Sequence, residues 1–196
     1  TPVGDVQVDE TLAGELLKEG DENLLRSNPA AHAREHSLEV QVPLLVILAP
    51  QTKIVPIAVP PADEAVRIGR TVGKHLSSLE PGRVCVVGST DLTHHGGHFG
   101  SPGGRGQKSE AYTRQNDQRM LDIIEAMDAE SVVPEARNRM NACGAGAIAA
   151  TIAAVREMGA RAGRVLGYTN SYEIVHKKDP HAPDDTAVGY ASVVFV

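Results

Sequence analysis

Short apolar runs alternate along the chain with longer stretches in which apolar residues recur every three or four positions. The runs at 54–59 and 83–88 are rich in β-branched residues, and both are predicted to be strands. The second is apolar without a break from Val84, which predicts a strand buried on both faces. Two further strands are predicted at 164–168 and 187–196.

The stretches between these runs are predicted to be helices. They cover 11–17, 42–49, 62–78, 107–127, 128–139 (in part a turn) and 143–158. Residues 42–49 are apolar all round, which predicts a buried helix. A glycine-rich loop is predicted at 96–106. The alternation of strands and helices, with no linker or repeat, predicts a single α/β domain over residues 1–196, with helices on both faces of a central mixed or parallel sheet.

The composition narrows the classes of function. Aromatic residues make up 3% of the chain and Trp is absent, which argues against a base-stacking surface for nucleic acid. The formal charge is -6 without a Lys or Arg cluster, so no nucleic-acid partner is expected. No apolar run approaches the roughly 20 residues that span a bilayer, so no membrane is expected either. Two cysteines make no disulfide scaffold, and the simplest compartment is the reducing cytoplasm.

A polar segment with ionisable groups follows the run at 83–88. Asp91 and His94 lie there, and ligands of open α/β sheets bind beyond the carboxyl ends of the strands. The pair is therefore a candidate for acid–base chemistry. The alternative interpretation is a turn in which Asp91 caps backbone amides. His95 and His98 are expected to decorate a mobile loop.

A second candidate is His36, which stands between Glu35 and Glu39 just before the apolar stretch at 42–49. A neutral histidine is a metal ligand, and a neighbouring carboxylate fixes its tautomer and orientation. The alternative is a surface ion pair at a helix end, with Glu39 interacting with the helix dipole.

The third candidate is Cys143, which precedes Gly144 at the start of an alanine-rich helix. A helix start favours the thiolate form of a cysteine, which is both a nucleophile and a soft metal ligand. The alternative is a small buried apolar residue, the commonest fate of a free cysteine. That fate is predicted for Cys85, which lies inside the valine-rich run.

These segments together resemble the Memo family, whose bacterial and archaeal members are called AmmeMemoRadiSam system protein B. The resemblance rests on segments spread over the chain in the family's order: 1–6, Glu35-His36-Ser37-Leu38-Glu39 with Val42-Pro43-Leu44, 88–96 with Asp91 and His94, Cys143-Gly144, and 185–191. It implies a fold like that of the class III extradiol dioxygenases, which are non-haem iron enzymes.

The resemblance also implies a metal site. His36 and Cys143 would be ligands of iron or copper, with His94 and Asp91 beside them for proton transfer. A thiolate replaces a carboxylate of the dioxygenases, which favours Cu(I) or a tuned Fe(II) and argues against ring cleavage. The family's upstream His-Ala-Gly-Tyr-like segment, whose histidine completes the site, has no counterpart in this sequence. We therefore expect the domain to lack its N-terminal strand and loop.

Three functions follow as hypotheses. The first is a metal-dependent, non-haem iron or copper oxidoreductase that acts on a small-molecule or peptide ligand. The second is a non-catalytic protein that binds a peptide or partner on a dioxygenase-like scaffold, and the family's system name implies that the partners include a radical SAM protein. The third is a hydrolase with Cys143 as its nucleophile and His94 as its base.

Overall fold

Three strands form one antiparallel sheet in the computed structural model, which describes residues 4–20, 23–33, 35–96, 99, 107–181 and 186–196. The helices are α1 Glu10–Glu19, α2 Pro29–His32, α3 Val42–Leu48, α4 Glu64–Ser77, α5 Gln107–Glu125, α6 Ala129–Arg139, α7 Ala145–Glu157 and α8 Ser171–Lys178. The strands are β1 His94–Gly96, β2 Gly163–Asn170 and β3 Thr186–Phe195. Helices and strands share one core, so the predicted α/β class is confirmed.

The sheet has the order β1-β3-β2, with β3 in the centre. Both pairings are antiparallel, and the register places His94 opposite Val188 and Tyr168 opposite Ala191. Within the described residues, the parallel pairing is limited to one isolated bridge between Val8 and Ile54. The prediction of a central mixed or parallel sheet is therefore wrong for this part of the chain. The runs at 54–59 and 83–88 do not pair as strands, and those at 164–168 and 187–196 pair in antiparallel orientation.

Residues 54–59 and 83–88 are two of the four runs that the sequence predicts to be strands. Beyond the Val8–Ile54 bridge, neither has a ladder to another described segment. Side chains of both runs pack against the cluster around Ile68 and Val72 of α4. Val87, however, is 63% exposed, and Cys85 is exposed as well. Burial of 83–88 on both faces, and of Cys85 with it, is therefore a wrong prediction, because only one face of the segment meets a packed layer.

The prediction that the helix at 42–49 is buried is also wrong. Leu44, Ile47 and Leu48 are 55%, 67% and 79% exposed, and no residue of the helix is buried. The helix forms where the apolar stretch predicts it, with Pro43 in its first turn, where a proline is tolerated. The apolar stretch therefore predicts the helix correctly but not its burial, because burial depends on which other elements pack against the helix.

The core is organised by the contact between α4 and α7. Gly69 and Gly73 lie against the backbone of Ala150 and Ala154, and an added Cβ would come 2.2 and 2.4 Å from those carbonyl oxygens. Small residues on both helices therefore allow their backbones to approach closely. The other side of α7 packs on α6, and α5 joins this core to the sheet. No described helix is both long and apolar enough to cross a membrane.

Candidate metal centre

Three of the predicted site residues come together beside β1. The ligand atoms of Asp91, His94 and Cys143 all lie within 4.8 Å of one another. The His94 Nε2 atom is 3.4 Å from Asp91 Oδ2, and both side chains are part-exposed. Cys143 is exposed. A carboxylate, an imidazole and a thiol on one exposed spot are three ligand types that metals bind in proteins.

The loop before β1 and the start of α7 are fastened to each other by hydrogen bonds. The Cys143 amide donates to the Asp91 carbonyl over 3.2 Å, and the Gly144 amide donates to Thr90 Oγ1 over 2.8 Å. The Cys143 sulfur lies 3.6 Å from both Thr90 Oγ1 and the Asp91 carbonyl oxygen. A Cβ at Gly144 would lie 2.7 Å from Thr90 Oγ1, so glycine is required for this approach.

A buried carboxylate holds the other side of the same loop. Asp117 of α5 is fully buried, and its Oδ1 accepts a 2.8 Å hydrogen bond from the amide of Thr93. Its Oδ2 accepts one of 2.8 Å from the Tyr168 hydroxyl. Burial raises the pKa of Asp117, and the hydrogen bonds of Thr93 and Tyr168 oppose that rise. A Cβ at Gly189 would lie 1.8 Å from Asp117 Oδ2, so β3 passes directly over this carboxylate.

Two buried asparagines extend the network to the turn that carries Cys143. Asn116 donates to Thr93 Oγ1 over 3.1 Å and to the Arg139 carbonyl over 2.9 Å. Asn141 donates to the Asn116 carbonyl over 3.0 Å. Met140, between Arg139 and Asn141, ends α6 in the left-handed conformation with φ of 52°. One buried polar network therefore connects and supports the two loops that carry the cluster.

A cavity of about 290 Å³ opens at the cluster. It is lined by Leu92, His94, Phe99, Ala136, Met140, Ala142 and Cys143. The rings of His94 and Phe99 stack with their centroids 4.9 Å apart, which holds the imidazole at the cavity wall. This volume suits a small molecule rather than an extended chain.

His36 lies on a loop that reaches the edge of this region. Ser89 links the loop to the segment before β1, because its hydroxyl donates to the Ser37 carbonyl over 2.8 Å and accepts from Gln41 over 3.1 Å. His36 itself is exposed and does not belong to the three-residue cluster of described groups. The structure therefore brings its loop near the centre while the cluster consists of Asp91, His94 and Cys143.

The neighbouring Glu35 has a local role. Its carboxylate accepts hydrogen bonds from the amides of Ser37 and Leu38 and from the Ser37 hydroxyl, at 2.8, 2.9 and 2.6 Å. Burial raises the pKa of Glu35, but these hydrogen bonds, together with the charge of His36, lower the pKa overall. Glu35 thereby fixes the turn that carries His36.

Sequence reasoning missed some residues of this region and misplaced one. Tyr190 lies near Asp91, and its pKa is raised by burial and by the negative charge of that carboxylate. The signal in the sequence was its position in the predicted strand 187–196. In the structure the neighbouring Gly189 accepts a hydrogen bond from the Leu92 amide and donates one to the Thr93 carbonyl, which brings Tyr190 to the site. His95, expected on a mobile loop, is fully buried with its ring centroid 4.6 Å from that of Tyr112. His98 lies outside the described residues.

The fold and the cluster define the class, an α/β protein with a group of Asp, His and Cys ligand atoms beside a small cavity. The sequence model of the family described as "Memo-like protein" matches residues 1–194. The chain therefore belongs to the Memo family.

Similar proteins come from archaea. A MEMO1 family protein of Pyrococcus abyssi is 34% identical over 205 residues, and one of Thermococcus kodakarensis is 35% identical over 205 residues. In both cases the match covers 100% of this chain and 67% of the relative. A MEMO1 family protein of Nitrosopumilus maritimus is 29% identical, with 100% of this chain and 64% of the relative covered. The chain thus spans about two thirds of the length of these relatives.

Proposed function

We propose that this protein is a metal-dependent oxidoreductase with a non-haem iron or copper centre at Asp91, His94 and Cys143. The observation that carries the proposal is the convergence of their three ligand atoms within 4.8 Å. The finer likeness in fold to the class III extradiol dioxygenases belongs to the same proposal, without the mixed or parallel sheet that the described strands do not form. It is supported by the resemblance of the motifs and by membership of the Memo family.

The donor set fits either metal. A thiolate is a soft ligand that suits Cu(I) and tunes Fe(II), while imidazole and carboxylate bind iron and copper as well. Cys143 would hold the metal as predicted from the sequence, and His94 and Asp91 are close enough to it to join the ligand set. When bound, the metal would supply one-electron chemistry and a site for a small oxidant.

The chain's own residues prepare the site around that centre. Asp91 Oδ2 lies 3.4 Å from His94 Nε2 and accepts a hydrogen bond when that nitrogen carries a proton. The carboxylate thereby holds the tautomer and the orientation of the ring. The pair of His94 and Asp91 can hold a proton beside the 290 Å³ cavity, because His94 lines that cavity. The apolar wall formed by Leu92, Phe99 and Met140 excludes water from part of a bound ligand.

Metal analysis of the purified protein and its variants tests this proposal. We expect Cys143→Ser, His94→Ala and Asp91→Asn each to lower bound iron or copper, because each removes one of three converging ligands. Cys85→Ser is the matched control, since Cys85 is the other exposed cysteine and lies outside the cluster. Equal metal content in Cys143→Ser and Cys85→Ser would refute the proposal.

His36→Ala separates two versions of the metal centre. If His36 is a ligand, as the family resemblance implies, its removal lowers bound metal as much as that of His94. If the centre is the three-residue cluster alone, His36→Ala keeps its metal. The radical SAM partner and the cytoplasmic location stay predictions from the resemblance and the composition.

A thiol hydrolase is the second candidate, because the Cys143 sulfur and a His94 nitrogen belong to the same 4.8 Å group. The sulfur contacts Thr90 Oγ1 and the Asp91 carbonyl oxygen, and the imidazole pairs with the Asp91 carboxylate. This arrangement favours the metal proposal over a thiol–imidazole pair. Hydrolysis of thioesters or activated esters that survives metal chelation and is lost in Cys143→Ser would reverse that preference.

A further inference from the structure

Two methionines of the described chain have a backbone conformation that side chains usually avoid. Met127 and Met140 have φ of 59° and 52°, and they are the non-glycine residues with positive φ in the part of the chain that the structure describes. Met140 stands where α6 ends, a position at which glycine is the common residue. Glycine adopts this conformation freely, whereas a side chain strains it. Each methionine therefore needs a reason for its side chain.

The core supplies that reason for Met127 but not for Met140. Met127 is 6% exposed and belongs to the main hydrophobic cluster. Met140 is 61% exposed, so core packing does not account for its side chain. It does line the cavity of about 290 Å³ beside the cluster of Asp91, His94 and Cys143. The structure thus places the strained residue where it contacts whatever occupies that cavity.

The cavity has a polar end and an apolar end. His94 and Cys143 form the polar end, and the other lining residues are apolar: Leu92, Phe99, Ala136, Met140 and Ala142. None of these residues is Lys, Arg, Asp or Glu, so the lining offers an anionic ligand no cation. The Asp91 carboxylate, 3.4 Å from His94 Nε2, would repel such a ligand. A methionine side chain adapts to an irregular apolar surface, which suits a wall that contacts a ligand.

We propose that Met140 is a specificity-determining residue of the candidate centre. Its side chain contacts the apolar body of a small uncharged ligand, whose polar head lies at His94 and Cys143. A cavity of about 290 Å³ limits that ligand to a small molecule. This inference deepens the proposed function and rests on it, because it takes the cavity as the place where a ligand of the metal centre lies.

The experiment uses two probes that share one aliphatic body and differ in charge, 1-hexanol and hexanoate. They are titrated into the whole 196-residue chain without metal, with its four methionines carrying a ¹³C-labelled methyl group for NMR. We expect 1-hexanol to shift the Met140 methyl signal to saturation. The Met120 signal should stay in place, since Met120 is fully buried and does not line the cavity. Hexanoate should bind about fivefold more weakly or worse, because of the Asp91 charge.

Substitutions of Met140 separate ligand contact from a structural role. Met140→Gly should weaken 1-hexanol about fivefold or more, because the bound body loses apolar contact area. Met140→Leu restores an apolar side chain and should bind within about twofold of the wild type. Met158→Leu is the control, since Met158 does not line this cavity, and its affinity should be unchanged. Binding to the variants is followed on the ring signals of His94, which lines the same cavity.

The stability of Met140→Gly gives a second readout. A residue kept for the fold would lower the midpoint of thermal unfolding when it is removed. Because glycine adopts φ of 52° without strain, Met140→Gly should unfold at no lower temperature than the wild type while it loses affinity for 1-hexanol.

Four outcomes would overturn the proposal. In the first, 1-hexanol does not shift the Met140 methyl signal. In the second, Met140→Gly binds 1-hexanol as tightly as Met140→Leu does. In the third, hexanoate binds as tightly as 1-hexanol, and in the fourth, Met140→Gly unfolds at a lower temperature than the wild type. These measurements use metal-free protein, so their failure leaves the proposed metal centre standing, whereas the metal contents of Cys143→Ser and Cys85→Ser test that centre separately.

Discussion

Asp117 shows how a single buried side chain organises the candidate centre. Its two carboxylate oxygens hold the Thr93 amide and the Tyr168 hydroxyl, which ties the loop before β1 to β2 through α5. The sequence predicts the helix over 107–127 from its apolar positions. A period of apolar residues does not reveal a polar residue on the buried face, so Asp117 and its neighbour Asn116 could not be recognised in advance.

The raised pKa of Asp117 predicts a stability that depends on pH. Because burial favours its protonated form, the folded protein holds the proton to higher pH than the unfolded chain does. The free energy of unfolding therefore falls as the pH rises from the unfolded pKa through the folded pKa of Asp117. Asp117→Asn should flatten the profile in this window, as measured by urea unfolding at a series of pH values.

The control for this experiment is Asp122→Asn, because Asp122 is exposed on the same helix. It should keep the wild-type profile, while Asp117→Asn loses its slope. A profile of Asp117→Asn that runs parallel to the wild type throughout would show that Asp117 does not couple protonation to folding.

At the scale of elements, the helices were the best predicted part of the fold. Periodic apolar residues located α4, α5, α6 and α7, and the structure confirms each of them. Helix α8 was missed, although a signal was present. Asn170 caps its first turn through a 2.9 Å bond from the Glu173 amide, and an Asn with a Glu three residues later is a helix-start pattern.

The strands were predicted less well, for a physical reason. An apolar β-branched run reports that a segment is extended and partly buried, but pairing depends on a partner distant in sequence. Runs 54–59 and 83–88 are extended and contact the core, yet form no sheet with described neighbours. The run at 187–196 does pair, because β1 and β2 flank it.

Close packing of α4 on α7 gives a prediction for the elements. Gly73→Ala would place a Cβ 2.4 Å from the Ala154 carbonyl oxygen, so the helices must separate. We expect a loss of about 1–3 kcal/mol in the free energy of unfolding, measured in urea. Gly14→Ala in α1 is the matched control, since nothing lies within 4 Å of its new methyl group. It should stabilise the protein by about 0.5–1 kcal/mol, because alanine is the better helix former.

The two glycine variants share one chemistry and differ only in surroundings. If Gly73→Ala proved as stable as Gly14→Ala, the close contact between α4 and α7 would be wrong. The same contact positions the start of α7, and with it Cys143, relative to the rest of the core.

At the scale of the whole molecule, the candidate centre joins segments about fifty residues apart in sequence. Asp91 and His94 come from the loop and strand at β1, and Cys143 comes from the start of α7. Sequence reasoning singled out all three because each ionisable group stood at the end of a predicted element. It could not show that these three residues form the cluster while His36 lies outside it. Their positions depend on the buried network of Asn116, Asn141 and Asp117, which supports the two loops.

The central claim is that Cys143 supplies a sulfur ligand to a metal held with Asp91 and His94. X-ray absorption spectroscopy of the iron-loaded or copper-loaded protein measures this directly, because sulfur scatters differently from nitrogen and oxygen. The account predicts one sulfur neighbour of the metal, retained in Cys85→Ser and lost in Cys143→Ser. A metal shell of nitrogen and oxygen alone, or a sulfur neighbour that persists in Cys143→Ser, would contradict it.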